Sequence, residues 1–260
     1  MPTNHLRVCD EVSAAAWIAP RLGGDLGVVG HTVPRRYSAY ARICHPAVGP
    51  DGDRVGWSDV AGSTGRRAHS LMQWHALVGS QDSLNMTGSQ WRGSNPQRGN
   101  LVPEVLGPLC ELLGEHTSAA GDCFFCLWDG YGWTDRAPTT MRADRRGVVR
   151  RNEGPFSSPF SADELSRPRV ELPQRSYLLL AGPLPAALEI GWGPFHESPN
   201  LFWPADRAWC AASELDFDST LVGGTAELIE EILAKPELDG WAVQADSSLA
   251  HDADRINASH

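Results

Sequence analysis

The chain has 260 residues, 42% of them hydrophobic and 21% charged, with a formal net charge of −10. That length buries enough surface to fold without disulfides or metals, and the composition excludes fibrous, collagen-like and wholly disordered chains. The acidic balance argues against a nucleic-acid partner, which asks for a concentrated basic face.

No uncharged window is long and unbroken enough to suggest a membrane span. Met1 to Leu6 carries no basic segment followed by an apolar one, so no signal peptide is expected and cytoplasmic residence is the default. There the six cysteines are expected as thiols. Cys123 and Cys126 form a C-x-x-C around Phe124-Phe125, inside the apolar run that ends at Trp128. In a strand such positions point to opposite faces, so buried structural thiols are expected rather than a redox pair or zinc site. No cofactor and no metal site is expected.

In chain order, Asp10 to Ala19 suggests a short helix stopped by Pro20. Leu26–Val33, Tyr37–His45 and Arg54–Val60 suggest strands separated by turns at Pro34-Arg35-Arg36 and Gly49 to Asp53. Within the second, Tyr40, Arg42 and Cys44 share one face. Arg66–Val78 suggests a helix with Leu71, Met72, Trp74, His75 and Val78 on its apolar side. Ser80–Asn100 is rich in Ser, Gly, Gln and Asn and suggests a loop or an internal boundary.

Pro103 opens a helix whose stripe is Val105, Leu106, Leu109, Leu112 and Leu113. Cys123–Asp129 is strand-like, and the Trp128–Trp133 turn crowds aromatics around glycines. Thr134–Pro173 looks irregular and carries the densest basic run, from Arg136 to Arg151. Tyr177–Ala181 suggests a strand, Pro185–Ile190 a short helix, Arg207–Phe217 a long strand, Ala226–Ala234 a helix and Trp241–Val243 a last strand. The expected class is α+β, mostly antiparallel sheet with flanking helices. The expected organisation is an N-terminal α+β half (1–100), a C-terminal α+β half packed with it (101–244), and a disordered polar tail (245–260).

The segment Asn200 to Gly224 concentrates the candidate chemistry. A strand over Arg207–Phe217 places Trp209, Ala211, Ser213, Leu215 and Phe217 on one face. Glu214, Asp216 and Asp218 fall on the other, about 7 Å apart along the chain. Three such carboxylates repel one another and call for solvent, an arginine or a cation. Trp203-Pro204 and Asp206-Arg207 stand at the mouth of this strand, as a rigid corner or as an exposed recognition edge. Gly223-Gly224 is expected as a tight turn into the following helix. No nucleophile signature, P-loop or metal-ligand spacing is present. His196 beside Glu197 is a possible acid–base pair.

The runs Tyr40 to Pro46, His69 to Trp74, Cys126 to Gly132, Arg175 to Pro183 and Asn200 to Gly224 resemble a family of uncharacterised proteins from high-GC Gram-positive bacteria. The resemblance spans about Ser38 to Val243. It implies one integrated unit and carries no activity or catalytic residue.

Two functional expectations lead, beside a third, a small-molecule binder at the Trp128–Trp133 turn. One is a non-enzymatic cytoplasmic protein that meets a basic protein partner through Trp203, Asp206, Arg207, Glu214, Asp216 and Asp218. The other is an enzyme that uses the clustered carboxylates with Arg207 or His196 in a cleft between the halves. Carboxylates lining a concave pocket beside an arginine favour the second; a flat open face beside Trp203 favours the first.

Overall fold

The computed structural model describes residues 5–80, 90–131, 134, 139–143, 149–153, 158–192 and 195–257, with backbone alone at 139–143, 149–153 and 192. Its centre is a nine-stranded antiparallel sheet. The strands in chain order are β1 (Arg7–Val8), β2 (Ala39–Cys44), β3 (Cys123–Trp128), β4 (Arg169–Leu172), β5 (Arg175–Gly182), β6 (Leu201–Pro204), β7 (Cys210–Ala212), β8 (Ser219–Gly224) and β9 (Gly240–Val243). Their spatial order is β1-β5-β3-β6-β7-β8-β2-β9, and β4 shares the outer edge of β5 with β1. The class is α+β, as expected. β2 sits between β8 and β9, so segments from before and after residue 100 share one sheet.

Alternation along the strands divides the core into two layers. Phe125, Leu127, Ile43 and Val222 face a helical layer; Cys126, Tyr40 and Leu221 face the other side. The helical layer holds α1 (Pro103–Glu115) and α2 (Ala226–Ala234). Pro103 opens the first of these, and the five expected apolar residues of its stripe are buried. Thr225 caps the second by accepting from Leu228 N, and Leu228, Ile229 and Ile232 pack inward. Irregular N-terminal chain covers the opposite face, with Trp17, Ile18, Val29 and Val33 against it. A satellite cluster gathers Trp57, Trp74, Met72 and Leu77, with the Trp57 and Trp74 rings 5.4 Å apart.

Several expectations are corrected. Val29–Thr32 is one turn of helix, because Val29 N and Gly30 N bond to Ser247 O and Ala245 O rather than to a strand. Arg54–Val55 pairs as strand, but Gly56 ends it and Trp57–Ser63 is helical, with Trp57 N bonded to Asp239 Oδ2. Only Trp74–Leu77 of the expected Arg66–Val78 helix forms. The long strand Arg207–Phe217 does not exist. Arg207 turns the chain at φ 57°, β7 is three residues long, and a turn carries 213–218 into β8. Gly223-Gly224 lies inside β8, where a Cβ on Gly223 would come within 2.5 Å of the Tyr37 ring.

The segment 245–257, expected as a disordered tail, is packed on the body. Leu249 is buried, and Asp254 and Asn257 are buried in reciprocal bonds with Gln73 N, His69 and the Arg67 backbone. Its polar residues satisfy partners distant in sequence, so composition hid the packing. The basic run is partly a hairpin, Thr139–Ala143 with Val149–Glu153, while Arg136, Arg145 and Arg146 lie outside the described residues. Gly132 and Trp133 of the aromatic turn also lie outside them; Trp128 and Tyr131 meet edge-on at 5.5 Å. Cys123 and Cys126 fall in opposite core layers, both thiols buried, and burial pushes the Cys123 thiol up to about 12.

Candidate functional site

The six residues singled out from Asn200 to Gly224 separate into two groups, at the two ends of β7. Trp203, Asp206 and Arg207 belong to the end where β6 leaves the sheet. Glu214, Asp216 and Asp218 belong to the turn between β7 and β8.

Trp203 is not an exposed edge. It is 1% exposed, stacked on Phe124 at 5.7 Å and edge-on to Trp17 at 6.1 Å. β6 lies between β3 and β7, and the core layers on either side of the sheet bury all four of its residues. Asp206 accepts hydrogen bonds from Thr117 Oγ1, Ser118 N, Ser118 Oγ and Ala208 N. Slight burial opposes them, but these bonds hold its carboxyl below the usual range.

The turn at 214–218 is fastened at three points. Phe217 N bonds to Glu214 O, Gly99 N to Phe217 O, and His45 N to Asp218 O. Its carboxylates meet the protein's own guanidinium groups. Glu214 and Asp216 share Arg175, at 2.7 and 2.9 Å. Asp218 lies 3.4 Å from the Arg42 guanidinium. Arg42 is 1% exposed and also donates to Ser70 O, Met72 O and Ser219 Oγ, over the Trp57 ring at 5.1 Å. Of the three carboxylates only Asp216 remains open, its side chain 78% exposed.

Arg42 and the three carboxylates line a cleft of about 320 Å³. Arg42, His75 and Arg98 come from the first part of the chain, Glu214 and Asp216 to Ser219 from the turn, and Leu249 to His251 from the C-terminal segment. Leu26, Phe217 and Leu249 supply apolar wall. Burial raises the Asp218 carboxyl above its ordinary pKa, opposed by Arg42 and Arg98. Burial lowers the His75 imidazole, opposed by Asp218. The cleft therefore pairs a carboxyl that holds its proton more tightly than usual with an imidazole that holds its proton less tightly. Carboxyl and imidazole are side chains that exchange protons with a bound molecule.

Sequence reasoning named the carboxylates and missed their companions. The sequence puts His75 on an apolar helix face, and His251 in the segment expected as a tail. His196 does not join the cleft. It sits on the short hairpin that ends at Phe195–His196, its carbonyl accepting from Asn100 Nδ2. Nothing local marks His75 or His251, since both reach the cleft through long-range packing.

A buried polar chain adjoins the turn, starting from His45, whose N bonds to Asp218 O. His45 Nδ1–H donates to Gln97 O at 2.6 Å, and its Nε2 accepts from Thr220 Oγ1 at 2.9 Å. Thr220 in turn accepts from Ser213 Oγ at 2.7 Å. Burial pushes His45 down to about 4, so it is neutral at physiological pH.

Among the described residues no group of three or more His, Cys, Asp or Glu is placed to hold a metal ion, and no helix is long and apolar enough to cross a membrane. The comparisons with known proteins found no matching family model, no matching curated protein and no matching solved structure.

Proposed function

We propose that the protein is an enzyme acting on a small polar molecule held in the Asp218–His75 cleft, with the Asp218 carboxyl and the His75 imidazole as its proton-exchanging groups. One observation carries this reading: a single concave site gathers the Arg42–Asp218 pair, the His75 imidazole and an apolar wall, and burial shifts the carboxyl and the imidazole in opposite directions. Arg98 at the rim and the Leu26–Phe217–Leu249 wall suit a ligand with one anionic or polar end and one apolar face. The cytoplasm is the compartment we assign, where six buried thiols stay reduced.

The alternative, a non-enzymatic protein that meets a basic protein partner, draws on Asp216 and Asp206, the two exposed carboxylates of the six residues, which lie at opposite ends of β7. The other two carboxylates of the turn are largely covered and paired with internal arginines.

Ligand-observed NMR tests the proposal. The panel would hold amino acids, sugars, nucleosides and small phosphate esters. At least one class is expected to bind the wild-type chain and to lose binding or turnover in Asp218→Asn and His75→Ala. Silence across the panel, or hits indifferent to both substitutions, overturns the reading. A hit that shifts with Asp216→Asn but not with Asp218→Asn transfers support to the acidic-surface alternative.

A further inference from the structure

At the other end of β7, two arginines converge on one indole, and a third holds its backbone. Trp17 is buried, and its Nε1 has no hydrogen-bond partner among the described residues. Arg21 donates to its carbonyl at 2.7 Å. Arg36 lies over its ring at 5.4 Å, and over the neighbouring Tyr37 ring at 5.5 Å. Arg207 lies over the Trp17 ring at 5.3 Å. The two guanidiniums arrive from different segments, one from the turn after Pro34 and one from the turn after β6. Both are drawn to the negative face of the same aromatic surface.

Their charges are left over. Among the described residues neither Arg36 nor Arg207 pairs with a carboxylate, whereas Arg35, Arg167, Arg169 and Arg175 all do. Asp206, next to Arg207, is already engaged by Thr117, Ser118 and Ala208 N. Arg207 is also fixed in an unusual backbone conformation. Its φ of 57° is one that side-chain-bearing residues rarely adopt. It is held there by Arg207 N bonding to Pro204 O and by Tyr37 OH donating to Arg207 O. Two unpaired cations are thus displayed on a rigid base, in a chain whose net charge is −10.

We propose that Arg36 and Arg207 on the Trp17 platform form a docking point for an acidic peptide segment of a partner protein. Arginine on an aromatic support is the composition on which interfaces concentrate their affinity. Consecutive Asp or Glu residues offer several carboxylates to cations carried by separate segments, which one small anion does not. The negative charge elsewhere repels such a peptide, so binding is confined to this spot and is strongest at low ionic strength.

The test is fluorescence anisotropy with the full chain and a fluorescein-labelled Glu-rich peptide, using its Gln-substituted copy as control. The wild type is expected to bind the Glu peptide and not the Gln peptide. Arg36→Gln and Arg207→Gly are each expected to weaken binding about tenfold, as for an interface anchor, and the double variant to abolish it. Glycine accepts the backbone conformation at 207, so that variant keeps the fold and its melting temperature reports this. Arg54→Gln, a cation elsewhere, is expected to leave binding unchanged. Four binding results overturn the proposal, and one result on self-association does so too. The four are no binding at low salt, equal binding of the Gln peptide, undiminished binding by the double variant, and saturable binding of inorganic phosphate in place of the peptide. Self-association that disappears in the double variant also overturns it, by making a second copy of the chain the occupant.

Discussion

Arg42 lies in β2 with its guanidinium sealed from water, and four acceptors share its donors. They are Ser70 O, Met72 O, Ser219 Oγ and Asp218 Oδ1. A buried cation is tolerated only when its hydrogen bonds are made, and removing it leaves the acceptors bare. Arg42→Met is therefore expected to cost about 3–5 kcal/mol, read as a lower urea midpoint. Arg42→Lys is expected to lose part of this, since a point charge cannot serve acceptors arranged around a planar fork. His45 behaves differently because it is buried uncharged. Its folded pKa of about 4 lies below its ordinary value of 6.5, so below pH 6.5 the unfolded chain binds a proton that the folded chain refuses. Stability is then expected to fall as pH drops from 6.5 towards 4, by about 3 kcal/mol from this residue alone. His75 and His196, both also lowered by burial, act in the same direction. Urea unfolding across pH 4 to 7 checks this, and His45→Gln is expected to flatten the slope whatever it does to absolute stability. An unaltered slope would mean that His45 titrates normally and is not sealed.

At the level of elements, the turn between β7 and β8 decides whether the cleft exists. Gly99 packs against it so closely that a Cβ there would lie 2.8 Å from the Leu215 Cα, and Gly99 itself has φ 68°. Gly99→Ala is expected to cost about 1–3 kcal/mol through backbone strain and to weaken ligand binding in the cleft. Thermal unfolding and the NMR titration read the two effects separately. Elements governed by their own residues were legible from the sequence. α1 follows from Pro103 and its apolar stripe, α2 from its apolar spacing with the Thr225 cap, and β3 and β5 from continuous apolar runs. Elements governed by distant partners were not. The Val29–Thr32 turn is set by the carbonyls of Ala245 and Ser247, and the Trp57 helix starts on the Asp239 carboxylate. The Arg207–Phe217 stretch alternates like a strand, yet the chain turns at both of its ends. The three carboxylates were found by their clustering. Their partners Arg175 and Arg42, 39 and 176 residues away in sequence from Glu214 and Asp218, carried no such mark.

For the molecule as a whole, the C-terminal segment is what closes the structure. It crosses from β9 to the N-terminal covering chain, where Leu249 N bonds to Gly27 O, and then to the satellite cluster, where Asp254 receives five hydrogen bonds. Burial would raise the Asp254 carboxyl, but donors from Asn257, Gln73 and His69 outweigh it and hold the pKa below normal. The stability this carboxylate contributes is therefore present above its ordinary pKa of 3.8 and lost as pH falls through the lower folded value, a window beneath that of His45. The same segment lines the cleft with Leu249, Ala250 and His251. Binding and stability are thus coupled through one stretch of chain, which makes removal of the segment informative. A chain ending at Gln244 is expected to lose the buried Leu249 side chain, worth about 1.5–3 kcal/mol, together with the Asp254 network. It should unfold at a clearly lower temperature and bind no cleft ligand. Asp254→Asn separates the two effects. It weakens the network, since an amide nitrogen replaces one accepting oxygen, at a cost of about 1–3 kcal/mol, while leaving the cleft lining in place. Lower stability with intact ligand affinity in Asp254→Asn, set against loss of both in the shortened chain, would establish the segment as a wall of the site as well as a fastening of the fold. Wild-type melting behaviour in the shortened chain would show that the segment does neither.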